Sequence, residues 1–158
     1  MFSSCSTETN IDSNPFYSEY VTPFGTPPFE KIKLEHYMPA FIDGMEQERN
    51  EIDAIANNQD TPTFENTIVA MEKKGELLDR VNHVFFNLTS SMTNDEMQTI
   101  AKELSPLLSK HRDDIRLNDK LFQRVKAVYD QKDDLNLSTE QKTLLEKDYK
   151  NFVRGGAN

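Results

Sequence analysis

The sequence has little of what cross-linked or membrane-spanning proteins require. It contains a single cysteine, Cys5, which excludes an internal disulfide and a zinc fold held by several cysteines. No apolar run approaches the roughly 20 residues that a helix needs to cross a bilayer, so we expect no membrane span. Basic residues are also scarce, with 18 Lys and Arg against 27 Asp and Glu. The resulting net charge of -9, with no basic cluster, argues against nucleic acid as a partner.

Motifs that carry known chemistries are absent as well. The three histidines, His36, His83 and His111, fall on three different predicted helices, and none belongs to an H-E-x-x-H pattern, which presents two zinc ligands one helical turn apart. There is no G-x-S-x-G turn, and the five glycines are too scattered for a phosphate-binding loop. We therefore predict no catalytic residue, no metal ligand and no cofactor in this chain. A composite site of all three histidines is the less favoured alternative, because isolated helical histidines are more often structural.

What the sequence does contain is helical periodicity. Hydrophobic residues make up 36% and charged residues 28% of the chain, a mixture typical of an amphipathic folded protein. From about Glu35, apolar residues recur three or four positions apart, which predicts an all-α fold of about five helices without strands. The first helix is expected to end near Asn57. A second, about seven turns long, is expected to begin after the cap Thr63 and to continue through Gly75.

The remaining helices are predicted from their caps. Thr93 and Glu96 have the spacing of a capping box for the third helix. Pro106 should bend or break that helix. Asn118 is expected to cap the fourth helix, and Ser138, with Gln141, the fifth.

Composition divides the chain into three segments. Residues 1–14 are rich in Ser, Thr and Asn and predict a flexible polar tail. Residues 15–34 alternate prolines with aromatic residues and predict an extended segment, whose aromatic side chains we expect to pack mainly on the helices. Residues 35–158 form the helical domain. Because only two residues follow Gly155 and Gly156, the chain is expected to be a truncated domain cut at a loop.

Cys5 is a candidate lipidation site. Small serines precede it and a polar stretch follows, as at a bacterial lipoprotein cleavage site. The charged start and apolar segment of such a signal are missing upstream. Either the reading frame starts inside its own signal or the likeness is accidental. The first interpretation predicts a tether to the bacterial cell envelope, facing the periplasm, and the second leaves a cytoplasmic location.

Several stretches of the chain match one family in their order. They are P-P-F at residues 27–29, E-H-Y-M-P-A-F at 35–41, T-P-T-F-E-N-T-I at 61–68, M-T-N at 92–94 and H-R-D-D-I at 111–115. Together they resemble the N-terminal region of the M3 zinc metallopeptidases, which include peptidyl-dipeptidases, oligopeptidase A and thimet oligopeptidase. The N-P-F at residues 14–16 and N-F-V-R-G-G-A at 151–157 resemble the bacterial peptidyl-dipeptidase branch in particular.

The resemblance implies a role outside the chemistry. Members of the family are large helical proteins whose two halves flank a deep channel, so that only short peptides reach a buried zinc ion. The family's zinc ligands and general base lie in a later H-E-x-x-H region, which these 158 residues lack. The implied function is a non-catalytic part of the channel wall, with short peptides and the C-terminal catalytic part as partners and zinc only in the parent enzyme. The alternative is a free-standing helical module that binds peptides or a protein without enzymatic activity.

Overall fold

The computed structural model describes residues 14–91 and 94–156. In these ranges the fold is all-α, without strands, and is built on five helices of 12 residues or more, which confirms the predicted fold class. The helices are α1 (Tyr37–Ala56), the one-turn α2 (Ala70–Glu72), α3 (Glu76–Ser91), α4 (Asp95–Arg116), α5 (Asp119–Asp130) and α6 (Thr139–Arg154). The caps predicted for the last two are present, since the side chain of Asn118 accepts from Leu121 N–H and that of Ser138 from Gln141 N–H.

The predicted second helix is not continuous. It begins after the Thr63 cap with a π-helical stretch, Phe64–Val69, passes into α2 and stops at a turn over residues 73–75. Gly75 has a φ of 73°, a left-handed conformation that glycine adopts without the steric penalty of a Cβ. Its N–H donates to Glu51 Oε2 at 2.7 Å. The prediction of one long helix was therefore wrong, because Gly75 ends one helical segment and a new helix, α3, starts after it.

The third predicted helix also differs from expectation. Asn94 caps α4, its side chain accepting from Met97 N–H at 2.8 Å, whereas Thr93 lies outside the described residues. The helix is uninterrupted through Pro106. A proline removes the hydrogen bond to the carbonyl four residues earlier. Pro106 and Lys102 are both exposed, so water can bond the freed Lys102 carbonyl, and no break is required.

Arg124 fixes the polar break between α1 and the π-helical stretch. This buried side chain donates from Nη1 to the carbonyls of Asn58 at 2.7 Å and Asp60 at 3.0 Å. Its Nη2 donates to Asn66 Oδ1 at 3.0 Å. A side chain from α5 thereby supplies donors to backbone carbonyls that have no helical partner.

Short 3₁₀ turns interrupt the segment before α1. Phe16, in the turn Pro15–Tyr17, is fully buried, with its ring centroid 5.4 Å from that of Tyr37. Arg80 Nη1 donates to the Phe16 carbonyl at 2.9 Å, which ties this turn to α3. Phe24 behaves differently, because it is fully exposed and has a φ of 62°. The aromatic residues of this segment therefore pack on the helices only in part.

The apolar interior consists of two clusters. The first joins the beginning of α1 to α3 and α4, and the second joins the end of α1 to α2, α5 and α6. Buried members of the first cluster are Phe16, Tyr37, Ala40, Phe41, Met45, Leu77, Leu78, Val81, Val84, Phe85, Met97 and Leu104. Those of the second are Ile52, Ile55, Ala56, Phe64, Ile68, Met71, Leu121, Phe122, Val125, Val128, Leu145 and Phe152. Helix α1 thus contributes buried side chains to both.

One carboxyl group is buried beside the second cluster. Asp148, on the same helix as Leu145 and Phe152, is 8% exposed, and its Oδ2 has no hydrogen-bond partner among the described residues. Burial first, and then the charge of Glu72, raise the pKa of Asp148 from 3.8 to about 6. The folded state therefore binds this proton more tightly than the unfolded state does, so stability falls as pH rises from 3.8 to about 6.

Asp148→Asn should therefore stabilise the protein at pH 7. We expect a gain of about 1 kcal/mol in the free energy of unfolding, discounted for solvent screening, because the variant removes a poorly solvated charge. Below about pH 3 both states of the wild type are mostly protonated there, and the gain should largely disappear. Urea unfolding at the two pH values measures it, with the exposed Asp134→Asn as the matched control. An equal effect of Asp148→Asn at both pH values would contradict the assignment.

Candidate functional site

A cleft of about 580 Å³ opens between α3 and α4, with residues of α1 and the turn after α2 at one end. Its size lies within the range of small-ligand sites in proteins. Charged and apolar side chains both line it. The lining residues are Glu48, Lys74, Leu78, Asp79, Asn82, Phe86, Ala101, Ser105, Leu108, His111, Arg112, Ile115 and Arg116. We call this the α3–α4 cleft.

Glu48 is the buried charge of the α3–α4 cleft. Its Oε2 lies 2.7 Å from His111 Nε2, and its Oε1 lies 3.2 Å from Lys74 Nζ. Glu48 is 9% and His111 3% exposed. A carboxylate can only accept, so His111 Nε2 carries the proton in this pair. The buried His111 Nδ1 has no partner among the described residues, and it is an acceptor when the ring is neutral.

The turn at Gly75 brings Lys74 to Glu48. A Cβ at position 75 would lie 3.0 Å from Glu48 Cδ, so the turn packs directly on the carboxyl group. The left-handed backbone of Gly75 thus places the ammonium of Lys74 on one side of the carboxylate, while α4 places His111 on the other. The three groups form a buried polar cluster in which each charge has a partner, as buried charges require.

The other cations of the α3–α4 cleft lie towards the end of α4. Arg112 and Arg116 are one helical turn apart, and both are exposed. Among the described residues neither forms an ion pair with a carboxylate, and the one side-chain hydrogen bond of Arg112 there goes from Nη2 to Ser109 Oγ at 3.4 Å. In contrast, Lys110 on the same helix pairs with Asp114 at 2.6 Å. The run of residues 111–115 is therefore partly an ion-paired solvated face and partly the wall of the cleft.

The three histidines have separate environments. His36 is buried in the turn before α1, where its Nδ1 accepts from Lys33 N–H at 3.0 Å and burial lowers its pKa. His83 is exposed on α3, and His111 pairs with Glu48. Within residues 14–91 and 94–156, no group of three or more His, Cys, Asp or Glu side chains has a metal-binding arrangement. The described residues thus do not fit a zinc ion.

The sequence patterns did not single out Glu48. Their available signal is its position, since Glu48 lies on the apolar stripe of α1 three residues after Met45 and four before Ile52. His111 interrupts the stripe of α4 in the same way, between Leu108 and Ile115. A charged or polar residue at a core position predicts a buried partner. It does not identify that partner, which here is 63 residues away.

The sequence of the chain is similar to those of known peptidases. No family model matches the chain. It is 45% identical over 144 residues to the dipeptidyl carboxypeptidase of Escherichia coli, covering 91% of this chain and 21% of that protein. It is 42% identical to the Salmonella typhimurium dipeptidyl carboxypeptidase over 93% of this chain and 22% of that protein. The Escherichia coli oligopeptidase A is 24% identical over 86% of this chain and 20% of that protein.

These similarities confirm the resemblance to M3 peptidases of the dipeptidyl carboxypeptidase and oligopeptidase A type. The higher identities are to the dipeptidyl carboxypeptidases, which is the branch that the N-P-F and N-F-V-R-G-G-A stretches indicate. The chain spans about a fifth of the length of these relatives. None of the described helices is long and apolar enough to cross a membrane, and Cys5 lies outside the described residues.

Proposed function

We propose that this chain is a non-catalytic helical part of a zinc-dependent M3 metallopeptidase that hydrolyses short peptides, and that it forms part of the wall of the substrate channel. The observation that carries the proposal is the 45% identity to a dipeptidyl carboxypeptidase over 91% of the chain. The sequence contains no H-E-x-x-H. The catalytic residues of the parent enzyme therefore lie outside this chain. They belong to a C-terminal catalytic part, which is the partner of this chain.

The chain would act on substrates through shape and exclusion. A channel wall must keep its form when a peptide enters, and the packed α1, α3 and α4 with the buried Glu48–His111 pair supply a rigid support. A wall that admits only short peptides also keeps bulk water away from the reaction. When bound in the parent enzyme, zinc would polarise the scissile carbonyl and activate water.

A chimera tests this proposal. The chain replaces the segment that it matches in the Escherichia coli dipeptidyl carboxypeptidase, and hydrolysis of short fluorogenic peptides is measured with and without added zinc. We expect the chimera to be active, and the isolated chain and the relative without the segment to be inactive. A chimera that folds but has no activity would contradict the channel-wall role. Zinc-dependent hydrolysis by the isolated chain would contradict its non-catalytic nature.

The α3–α4 cleft favours one other function. A free-standing module that binds peptides or a protein without hydrolysing them needs a groove with apolar walls and a few polar anchors, and the cleft has both. The downstream reading frame distinguishes the two proposals. Continuation into an H-E-x-x-H region supports the peptidase, whereas a stop codon after Asn158 supports the separate module.

The location of the protein depends on Cys5. If Cys5 is lipidated, we propose a tethered protein of the bacterial cell envelope that faces the periplasm, and otherwise a cytoplasmic protein. Mass spectrometry of the protein purified from cells decides between them. A mature chain that begins at an acylated Cys5 supports the envelope, and an unmodified Cys5 supports the cytoplasm.

A further inference from the structure

We propose that the α3–α4 cleft is a binding site for a small apolar carboxylic acid, in which Arg112 and Arg116 hold the carboxylate and the apolar walls hold the side chain. This inference goes beyond the channel-wall role and does not depend on it. The site would be a property of the chain itself.

The apolar part of the site lies between the two helices. Leu78 and Phe86 on α3 face Ala101, Leu108 and Ile115 on α4 across the cleft. Phe86 is 45% exposed, although its ring has edge contacts with Phe85 and Phe41 at centroid distances of 5.2 and 6.4 Å. These contacts fix an aromatic surface that remains open to the cleft. A ligand side chain placed there would remove this surface from water, which is favourable in proportion to the area covered.

The charged side chains of the site determine whether an anionic or a cationic ligand is favoured. Three cations and two carboxylates line the cleft, although the whole chain has a net charge of -9. Glu48 is already compensated, because Lys74 and His111 both contact it. The remaining charges are the two guanidinium groups of Arg112 and Arg116 against the single carboxylate of Asp79. The free charge of the α3–α4 cleft is thus positive.

Among the described residues, Arg112 and Arg116 form no ion pair with a carboxylate, so both side chains are available to a ligand in the cleft. Some cations elsewhere on the helices are already occupied, including Arg80 with Glu76 at 2.6 Å and Lys150 with Glu146 at 2.9 Å. The spacing of Arg112 and Arg116 puts both on one face of α4, beside the apolar walls. Guanidinium groups bind carboxylates through two parallel hydrogen bonds. An acid with an apolar side chain therefore complements both parts of the site.

Two kinds of molecule carry this chemistry, namely the C-terminal residue of a peptide and an aliphatic acid. N-acetyl-leucine represents the first and octanoate the second. N-acetyl-leucinamide has the same side chain as N-acetyl-leucine without the charge. Isothermal titration of the intact chain with each probe measures the affinities, which we expect to be near about 1 mM for molecules of this size. Tighter binding of N-acetyl-leucine than of octanoate supports the peptide as the source, and the reverse order supports the aliphatic acid.

The variants locate the site. Replacing both arginines, Arg112→Gln with Arg116→Gln, should weaken binding of the acid at least about tenfold, because charge-assisted hydrogen bonds are lost. The unaltered chain should bind the amide at least about tenfold more weakly than the acid. The double arginine variant should bind the amide as weakly as the unaltered chain does. Lys142→Gln with Lys147→Gln is the matched control, since both lysines are exposed and lie outside the cleft. Equal affinity for acid and amide, an unchanged affinity in the arginine variant, or no binding of either acid at about 10 mM would overturn the proposal.

Discussion

Glu48→Ala is expected to lower the free energy of unfolding by about 3 kcal/mol. The substitution removes the carboxylate that bonds His111 at 2.7 Å and Lys74 at 3.2 Å. Breaking a buried pair costs more than the pair contributes, because the remaining polar group stays buried without a partner. His111 is 3% exposed, so water that enters from the cleft would replace the lost carboxylate only in part.

Urea unfolding of three variants tests this expectation. Glu48→Gln retains an oxygen that can accept from His111 while it removes the charge, and we expect a loss of about 1 to 2 kcal/mol. Glu46→Ala, at an exposed position of the same helix, is the matched control and should change stability by less than about 0.5 kcal/mol. If Glu48→Ala were no more destabilising than Glu46→Ala, the Glu48–His111 bond would not contribute to the fold.

Gly44→Ala should also destabilise the protein, by about 2 kcal/mol. In an ordinary helix this substitution is favourable by roughly 1 kcal/mol, because alanine restricts the unfolded chain and prefers the helix. At position 44 an added Cβ would lie 3.0 Å from both Cα and N of Leu78. These are backbone atoms of α3, which cannot rotate away, so the two helices would have to separate along their shared apolar face.

Thermal and urea unfolding measure the sign of this effect. Asn50→Ala is the matched control, because Asn50 is exposed on the same helix and alanine should raise stability there by a few tenths of a kcal/mol. If Gly44→Ala were stabilising, α1 and α3 would have to be farther apart than the 3.0 Å between an added Cβ and the Leu78 backbone implies.

Local patterns account for the parts of the fold that were predicted. The caps Asn118 and Ser138 bond N–H groups within three residues, so the information that defines them is contained in four consecutive residues. The apolar period also extends along most of each helix, which is why the all-α class was predicted. The break at Gly75 was missed, because the period continues on both sides of it. Its cause includes the bond to Glu51, 24 residues earlier, which no local pattern contains.

The candidate site was less accessible to prediction than the fold. His111 was identified as a structural histidine or a member of a composite site, but its partner Glu48 depends on how α1 and α4 pack. The positive character of the α3–α4 cleft is similarly hidden in the sequence, because Asp113 and Asp114 lie between Arg112 and Arg116 along the chain. Helix geometry separates the signs, with Lys110 pairing with Asp114 while the two arginines line the cleft.

The division of α1 between the two apolar clusters has a consequence for how the protein opens. The first half of α1 packs in the cluster with α3 and α4 and the second half in the cluster with α5 and α6, so each cluster should protect the amide protons of its own half from exchange. A continuous ladder of backbone hydrogen bonds joins the halves, so opening of one cluster frays its own half of α1 and shortens the helix on which the other cluster packs. Helix α1 therefore couples the two clusters into one cooperative unit, and hydrogen exchange at its centre would report global unfolding.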